Sequence, residues 1–201
     1  MTSPNTRLAP VSLRGSIVSL EPLLRSHAAD LAKIGLDPAL WRLQPRAVAS
    51  LSDMEAYVEL ALDEQARGAS LPFVIVRHAD GAVIGTTRYM DIALPHRRLE
   101  IGSTWLTPSA QRTGANIEAK FLLLTHAFDE LKIQKVVLKT ETLNIQSRTA
   151  ILALGAAEEG TFRKHLIADS SRARDMIYFG IVDTEWPEVR SRLRSRLEGH
   201  A

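Results

Sequence analysis

The chain has 201 residues, enough for one domain with a sizeable core. Hydrophobic residues make up 45% and charged residues 24%, and the formal net charge of +2 argues against a broad cationic surface for nucleic acid. There is no cysteine, which excludes disulfides, thiolate nucleophiles and cysteine-held zinc or iron–sulfur groups.

No apolar run reaches transmembrane length and no signal-peptide pattern opens the chain, so the expected location is the cytoplasm. Residues 1–12 are polar, contain proline and are expected to be loosely ordered. Residues 14–20, with β-branched Ile17 and Val18, read as a first strand ended by Pro22. Ala28, Leu31, Ala32 and Leu36 have helical spacing, and Asp37-Pro38 breaks that helix. Ser52-Asp53-Met54-Glu55 predicts a capping box opening a second helix, which runs to about Arg67 and stops at Gly68. Phe73–Val76, Ala82–Ile92 and Leu99–Leu106 then read as a meander, with Asp80-Gly81 as the hairpin turn.

After Thr107-Pro108-Ser109, the loop Gln111–Asn116 leads into a helix from near Ile117. Its stripe is Ile117, Phe121, Leu124, Phe128 and Leu131. A strand, a short polar loop with a glycine and a helix N-terminus can bind an anion, because unpaired N–H groups and the helix dipole converge there. The same unit can also be a plain connection. Gln134–Thr142 is the next strand, so the two strands around this helix form a β-α-β crossover and run parallel if they share a sheet. Asn144 opens a shorter helix that stops at Gly155. Glu158–Ile167 and Arg174–Val182 are the last strands, joined by Asp169-Ser170-Ser171. A helix from Trp186-Pro187 carries Val189, Leu193 and Leu197 on one side, and Arg190, Arg192, Arg194 and Arg196 as its charges.

This order of elements resembles the GNAT superfamily of acyl-CoA-dependent N-acetyltransferases over roughly residues 12–183. Gln111-x-x-Gly114-x-Asn116 is similar to the superfamily's pyrophosphate loop. Leu99-Glu100-Ile101-Gly102, leading to Trp105-Leu106, resembles the fourth strand of the ribosomal-protein N-terminal acetyltransferase (RimL-like) branch. Asn144-x-x-Ser147-x-x-Ala150-x-x-x-Leu154-Gly155 is similar to that branch's second signature. There are departures: Asn116 stands where glycine or alanine is usual and is itself a good N-cap, Ala156 stands where phenylalanine is usual, and Ile151 stands where many members carry a tyrosine general acid.

The resemblance implies acetyl-CoA as co-substrate and gives roles to particular residues. Acetyl transfer needs a proton acceptor for the amine, donors for the oxyanion and a proton or hydrogen bond for the leaving thiolate. Glu100 is the candidate acceptor, acting through water; otherwise it is a strand-edge carboxylate facing solvent or paired with Arg97 or Arg98. Ser147 is the candidate partner of the thiolate, or else a local cap. Asn144 bonds the pantetheine arm, caps its helix, or both. The backbone of Trp105 and Leu106 meets the pantetheine and supplies an oxyanion donor, whereas the Trp105 side chain packs in the core or touches ligand. Gln111, Arg112, Thr113, Gly114, Ala115 and Asn116 hold the pyrophosphate. By analogy the acceptor lies between loops 37–51 and 93–98 and the last hairpin, with Trp41, Arg42, His96 and His165 as candidates; each also has an ordinary structural reading. The six histidines lack ligand spacing, so no metal is expected.

The expected molecule is therefore α/β, with a GNAT-like mixed, strongly twisted sheet of about seven strands, flanking helices and the central crossover. Residues 13–183 form the N-acetyltransferase domain and 184–201 a basic C-terminal helix. Its expected function is transfer of an acetyl group from acetyl-CoA to a primary amine, a protein N-terminal amine among them, by direct attack in a ternary complex. The absence of cysteine agrees with direct attack. The resemblance makes a homodimer an expectation. Two alternatives remain: a CoA-binding module without turnover, suggested by Asn116, Ile151 and Ala156, and a nucleic-acid-associated protein using the arginine tail. The balanced charge argues against the second.

Overall fold

The computed structural model describes residues 7–199. Its strands are β1 (Leu13–Arg14), β2 (Val18–Pro22), β3 (Leu71–Arg77), β4 (Val83–Ala93), β5 (Arg98–Leu106), β6 (Lys135–Glu141), β7 (Ala157–Ile167) and β8 (Ala173–Val182). The helices are α1 (Ala28–Gly35), α2 (Pro38–Trp41), α3 (Leu51–Ala66), α4 (Ala115–Thr125), α5 (Ile145–Leu154) and α6 (Trp186–Glu198). One eight-stranded sheet runs β1-β2-β3-β4-β5-β6-β8-β7. All its pairs are antiparallel except β5 with β6, which the α4 crossover makes parallel.

Most of the expected elements are present, and four differ in detail. The single strand expected over 14–20 is two short strands folded back at Gly15. The cause is Glu118 on α4, whose carboxylate accepts from the N–H groups of Ser16, Ile17 and Val18 at 2.7–2.8 Å and from the Ser16 hydroxyl. A Cβ on Gly15 would fall 2.5 Å from Glu118 Oε2. Burial pushes the Glu118 carboxyl up, and these bonds outweigh it and hold it below its ordinary value. The α3 cap is Ser50 rather than Ser52: its hydroxyl accepts from Asp53 N–H, and Asp53 reaches back to Ala49 N–H. The Asp37-Pro38 break is itself a one-turn helix, capped by the Asp37 carboxylate on Ala39 N–H. Helix α4 begins at Ala115 with Gly114 as N-cap at φ 82°, so Asn116 is its second residue and not its cap.

Residues 1–6 of the expected loose N-terminus lie outside the described residues, whereas Leu8 and Val11 pack against the main core. That core fills one face of the sheet under α4 and α6, with Tyr89, Leu99, Ile101, Leu123, Phe179 and Leu193 among its members. Trp186 of α6 packs against Phe121 and Phe128 of the α4 segment. Two of the tail arginines are held within the fold: Arg190 pairs with Asp129 at 3.1 Å and Arg196 donates to Ala153 C=O. The other face carries a smaller cluster under α1 and α3, centred on Trp41, Met54, Val74 and Trp105. Among the described residues, no helix is long and apolar enough to cross a membrane.

Lys120 is buried on the α4 face with no carboxylate bonded to it. Its ammonium donates to the Thr104 and Thr87 hydroxyls, which also bond each other at 2.8 Å. Burial pushes its pKa down to about 7. The unfolded chain therefore binds one more proton than the folded chain between about pH 7 and 10.5, and stability rises with pH across that window. Lys120→Met leaves the two threonines bonded to each other. It is expected to stabilise the protein by a few kcal/mol below pH 7, with the gain fading towards pH 10.5, as read by urea melts across that range.

Candidate active site

The site begins where β5 and β6 part. They pair at only three positions, Arg98 with Lys135, Leu99 with Val136 and Glu100 with Val137. Beyond Glu100 the two strands run on without pairing to each other, β5 to Leu106 and β6 to Glu141. A bulge in the β4–β5 ladder accompanies the parting. Register shifts between Thr86 and Arg88, and Ser103 opposite them has φ 46°. A bulge bends its strand and increases local twist, which turns β5 away from β6. Half of the backbone N–H and C=O groups beyond Glu100 on each strand then face a wedge rather than a neighbour.

At the open end, β5 leads through a short turn at Pro108–Ala110 into the loop before α4. Arg112 at φ 62° and Gly114 at φ 82° are both left-handed, and Gly114 takes that conformation without a Cβ penalty. Gln111 donates to Leu106 C=O at 3.1 Å and the Thr113 hydroxyl to Ala110 C=O at 2.7 Å, which fixes the loop on the strand end. Glu118 N–H closes on Gly114 C=O at 2.9 Å, so the N–H groups of Ala115, Asn116 and Ile117 lie ahead of the helical ladder. This end of the wedge fits an anionic group. The α5 start lies beside it: Gln146 and Gln111 side chains meet at 3.5 Å, and Asn144 Oδ1 caps Ser147 N–H at 3.0 Å. The cap reading of Asn144 is thus observed. The Ser147 hydroxyl sits in that first turn, half-buried.

At the closed end lies Glu100, 3% exposed. Its carboxylate folds along its own strand over residue 102, where a Cβ would fall 2.7 Å from Glu100 Oε1 and 2.9 Å from Met90 Sδ. Gly102 leaves that space. Oε2 is 2.8 Å from Lys139 Nζ on β6, whereas Arg98 pairs with Asp91 at 2.6 Å. Glu100 is therefore partnered by neither Arg97 nor Arg98. Burial pushes its carboxyl above the ordinary value, and Lys139 draws it part of the way back. Lys139 stands over the Tyr178 ring at 5.7 Å, Tyr178 packs edge-on against Phe162 at 4.9 Å, and its hydroxyl lies 2.9 Å from His165 Nε2. Together these side chains form a strip across β5, β6, β8 and β7.

Loop 42–48 bounds this face. Asp169 N–H donates to Pro45 C=O at 3.1 Å, and Arg174 donates to Leu43 C=O at 2.8 Å while also bonding Glu141. Arg172 forks onto the same carboxylate and, with Arg174, holds it below its ordinary value. Of the expected acceptor residues, His165 joins the strip, and Arg42 is exposed on the bounding loop. Trp41 differs: it is buried, its indole N–H donates to Gly35 C=O at 2.6 Å, and its ring packs on Tyr57 and Trp105. It anchors the loop from below. The Trp105 side chain lies in the same cluster, which is its core reading. His96 sits exposed in the turn before β5. Lys139, Tyr178, Glu141 and Arg174 escape the sequence reading. The one local signal is Lys139 directly after Val136-Val137-Leu138, a charge in a strand that is otherwise core.

Among the described residues no cluster of three or more metal-ligating side chains occurs. A family model described as acetyltransferase (GNAT) domain matches residues 18–157. The fold is similar to the crystal structure of a "putative acetyltransferase" from T. thermophilus, at 32% identity and TM-score 0.87, covering 94% of this chain and 98% of that one. It is also similar to a GCN5-related N-acetyltransferase from Brucella melitensis, at 26% identity and TM-score 0.87, covering 95% and 87%. "Putative ribosomal N-acetyltransferase YdaF" of Bacillus subtilis (strain 168) is 28% identical over 107 residues, 53% of this chain and 57% of that protein. The chain belongs to the GNAT acetyltransferase family and is classed with its acyl-CoA-dependent N-acetyltransferases.

Proposed function

We propose that the protein transfers an acetyl group from acetyl-CoA to a primary amine by direct attack in a ternary complex, and that the acceptor is a protein N-terminal amine. The observation that carries this reading is the wedge between β5 and β6, with an anion-binding loop at its open end and a buried carboxylate at its closed end. The RimL-like motifs around Glu100 and Asn144 support the acceptor class. So does the likeness to a relative named as a ribosomal N-acetyltransferase.

Acetyl-CoA supplies the acyl group as a thioester. The Gln111 N–H is taken by Pro108 C=O, so the N–H groups of Arg112–Asn116 and the α4 N-terminus would hold its pyrophosphate, and the free edge of β5 at Trp105 and Leu106 its pantetheine amides. The incoming amine must be neutral, and Glu100 takes its proton through water. As the C–N bond forms and the C–S bond breaks, a β5 N–H donates to the carbonyl oxygen and the Ser147 hydroxyl to the departing sulfur. Ile151, buried in the core, offers no acid, and Ser147, one turn earlier on α5, is the hydroxyl that the RimL-like motif points to. His165 and Arg42 belong to the acceptor side.

Thiol release from acetyl-CoA is measured with peptides beginning in serine, alanine or methionine, with a polyamine and with an aminoglycoside. Turnover on a peptide is expected. Tight CoA binding without turnover on any amine would instead identify a binding module. In Glu100→Gln the rate is expected to fall on the order of 10²-fold, most steeply at low pH where less of the amine is neutral. An unchanged rate–pH profile would remove Glu100 from the role.

The phosphate loop is tested by a matched pair. Gly114→Gln and Gly114→Glu carry the same left-handed strain and nearly the same volume, and differ by one charge. The Glu variant is expected to bind CoA on the order of tenfold more weakly than the Gln variant in calorimetric titration. Equal affinities would place the pyrophosphate elsewhere.

A further inference from the structure

We propose that Lys139 is a positioning residue for Glu100: held between that carboxylate and the ring of Tyr178, it fixes one carboxylate oxygen and leaves the other for the acceptor's proton. This rests on the reading of Glu100 as the proton acceptor.

The two carboxylate oxygens of Glu100 have different surroundings. Oε2 is taken by Lys139 at 2.8 Å, while Oε1 lies over the bare backbone of Gly102. A carboxylate with one oxygen tied keeps one orientation, so the second oxygen keeps its aim. Lys139 is in turn confined. Its stem rises from β6, in direct register with Tyr178 of β8, and its ammonium sits within cation–π range of that ring. Tyr178 is held by Phe162 on one edge and by His165 at its hydroxyl. Four strands thus fix one oxygen.

Charge gives the second reason. A carboxylate 3% exposed is driven towards its neutral form, in which it accepts no proton. Burial also acts against the charge of Lys139, and Glu100 outweighs that and raises it, while Lys139 in turn offsets part of what burial does to Glu100. The other groups facing Glu100 are Asp91 from β4 and Arg98 from β5, which are bonded to each other at 2.6 Å, with Tyr178 from β8 and His165 from β7 beyond Lys139. Asp91 and Arg98 act on Glu100 in opposite directions, which leaves Lys139 as the dominant counter-charge. Lysine does this better than a surface pair would, since only 24% of its side chain is exposed and solvent screening is weak.

The test uses the full chain with glutamate labelled by ¹³C at the carboxyl carbon, Glu100→Gln serving to assign the Glu100 signal. This readout needs no acceptor. In Lys139→Met the Glu100 titration midpoint is expected to move up by about one pH unit or more, and Lys139→Arg to bring it back. Tyr178→Leu, which removes the ring beneath the ammonium, moves it by a smaller amount in the same direction. The acid limb of kcat/KM for the best peptide in the amine panel should shift with the midpoint, at unchanged KM for acetyl-CoA. A midpoint in Lys139→Met equal to that of the unmodified chain overturns the proposal. So does a KM for acetyl-CoA that rises in proportion to the lost rate, which would make Lys139 an acyl-CoA contact. If Glu100→Gln retains full activity, the reading of Glu100 falls, and this inference with it. If Glu100→Gln is inactive and the Lys139→Met limb stays in place, only this inference fails.

Discussion

Two parallel strands that pair over three residues and then separate set the conditions for everything else in this molecule. A strand within a sheet satisfies its backbone groups on both sides, and an unpaired edge inside a fold is costly unless something fills it. Here β5 is paired with β4 along its length while its other side opens after Glu100. The bulge at Ser103 bends the strand, and Lys120 behind it ties Thr87 to Thr104 on either side of the irregularity. The wedge is thus held open by the sheet itself. The free edge of β5 offers the unpaired N–H and C=O groups with which an extended amide-bearing chain can pair.

The two ends of the wedge use different electrostatics. At the loop end the positive potential comes from backbone dipoles, the N–H groups ahead of the α4 ladder, which do not titrate. At the closed end the field is set by a carboxylate and an ammonium whose charges depend on each other. Cofactor holding and proton transfer can therefore respond differently to pH. Further charged anchors keep the frame around them in place. Glu118 pins the α4 N-terminus to the β1–β2 turn, and Glu141 with Arg172 and Arg174 ties the end of β6 to β8 and to loop 42–48.

Local chemistry made the crossover and the loop readable in the sequence. Val136-Val137-Leu138 marks a buried strand, the stripe through Ile117, Phe121 and Phe128 marks the helix between strands, and Gly114 marks the left-handed turn. Asn144 and Gly155 bracket α5, as a cap and a stop should. The features that escaped depend on partners far away in the chain. The fold at Gly15 needs Glu118, a hundred residues on, and nothing near Ile17 signals it. The partner of Glu100 is Lys139 rather than an adjacent arginine, because parallel register and not sequence distance sets the neighbour. Trp41 looked like a loop residue because its burial against Trp105 and Tyr57 arises only when α1 and α3 pack together. The shift of the α3 cap to Ser50 is the smaller kind of difference, two overlapping serine-based boxes competing for one helix start.

The central claim is that the parting of β5 from β6 forms the acyl-CoA site. Backbone amide hydrogen exchange with and without CoA tests it directly, residue by residue and with no acceptor present. Protection is expected to rise along β5 from Gly102 to Leu106 and across Arg112 to Ile117, with little change at β1, β2 or α3. Protection confined to another region, such as the apolar hollow between Leu8, Leu94 and Ile133 with its rim of Arg7, Arg97 and Lys132, would contradict it.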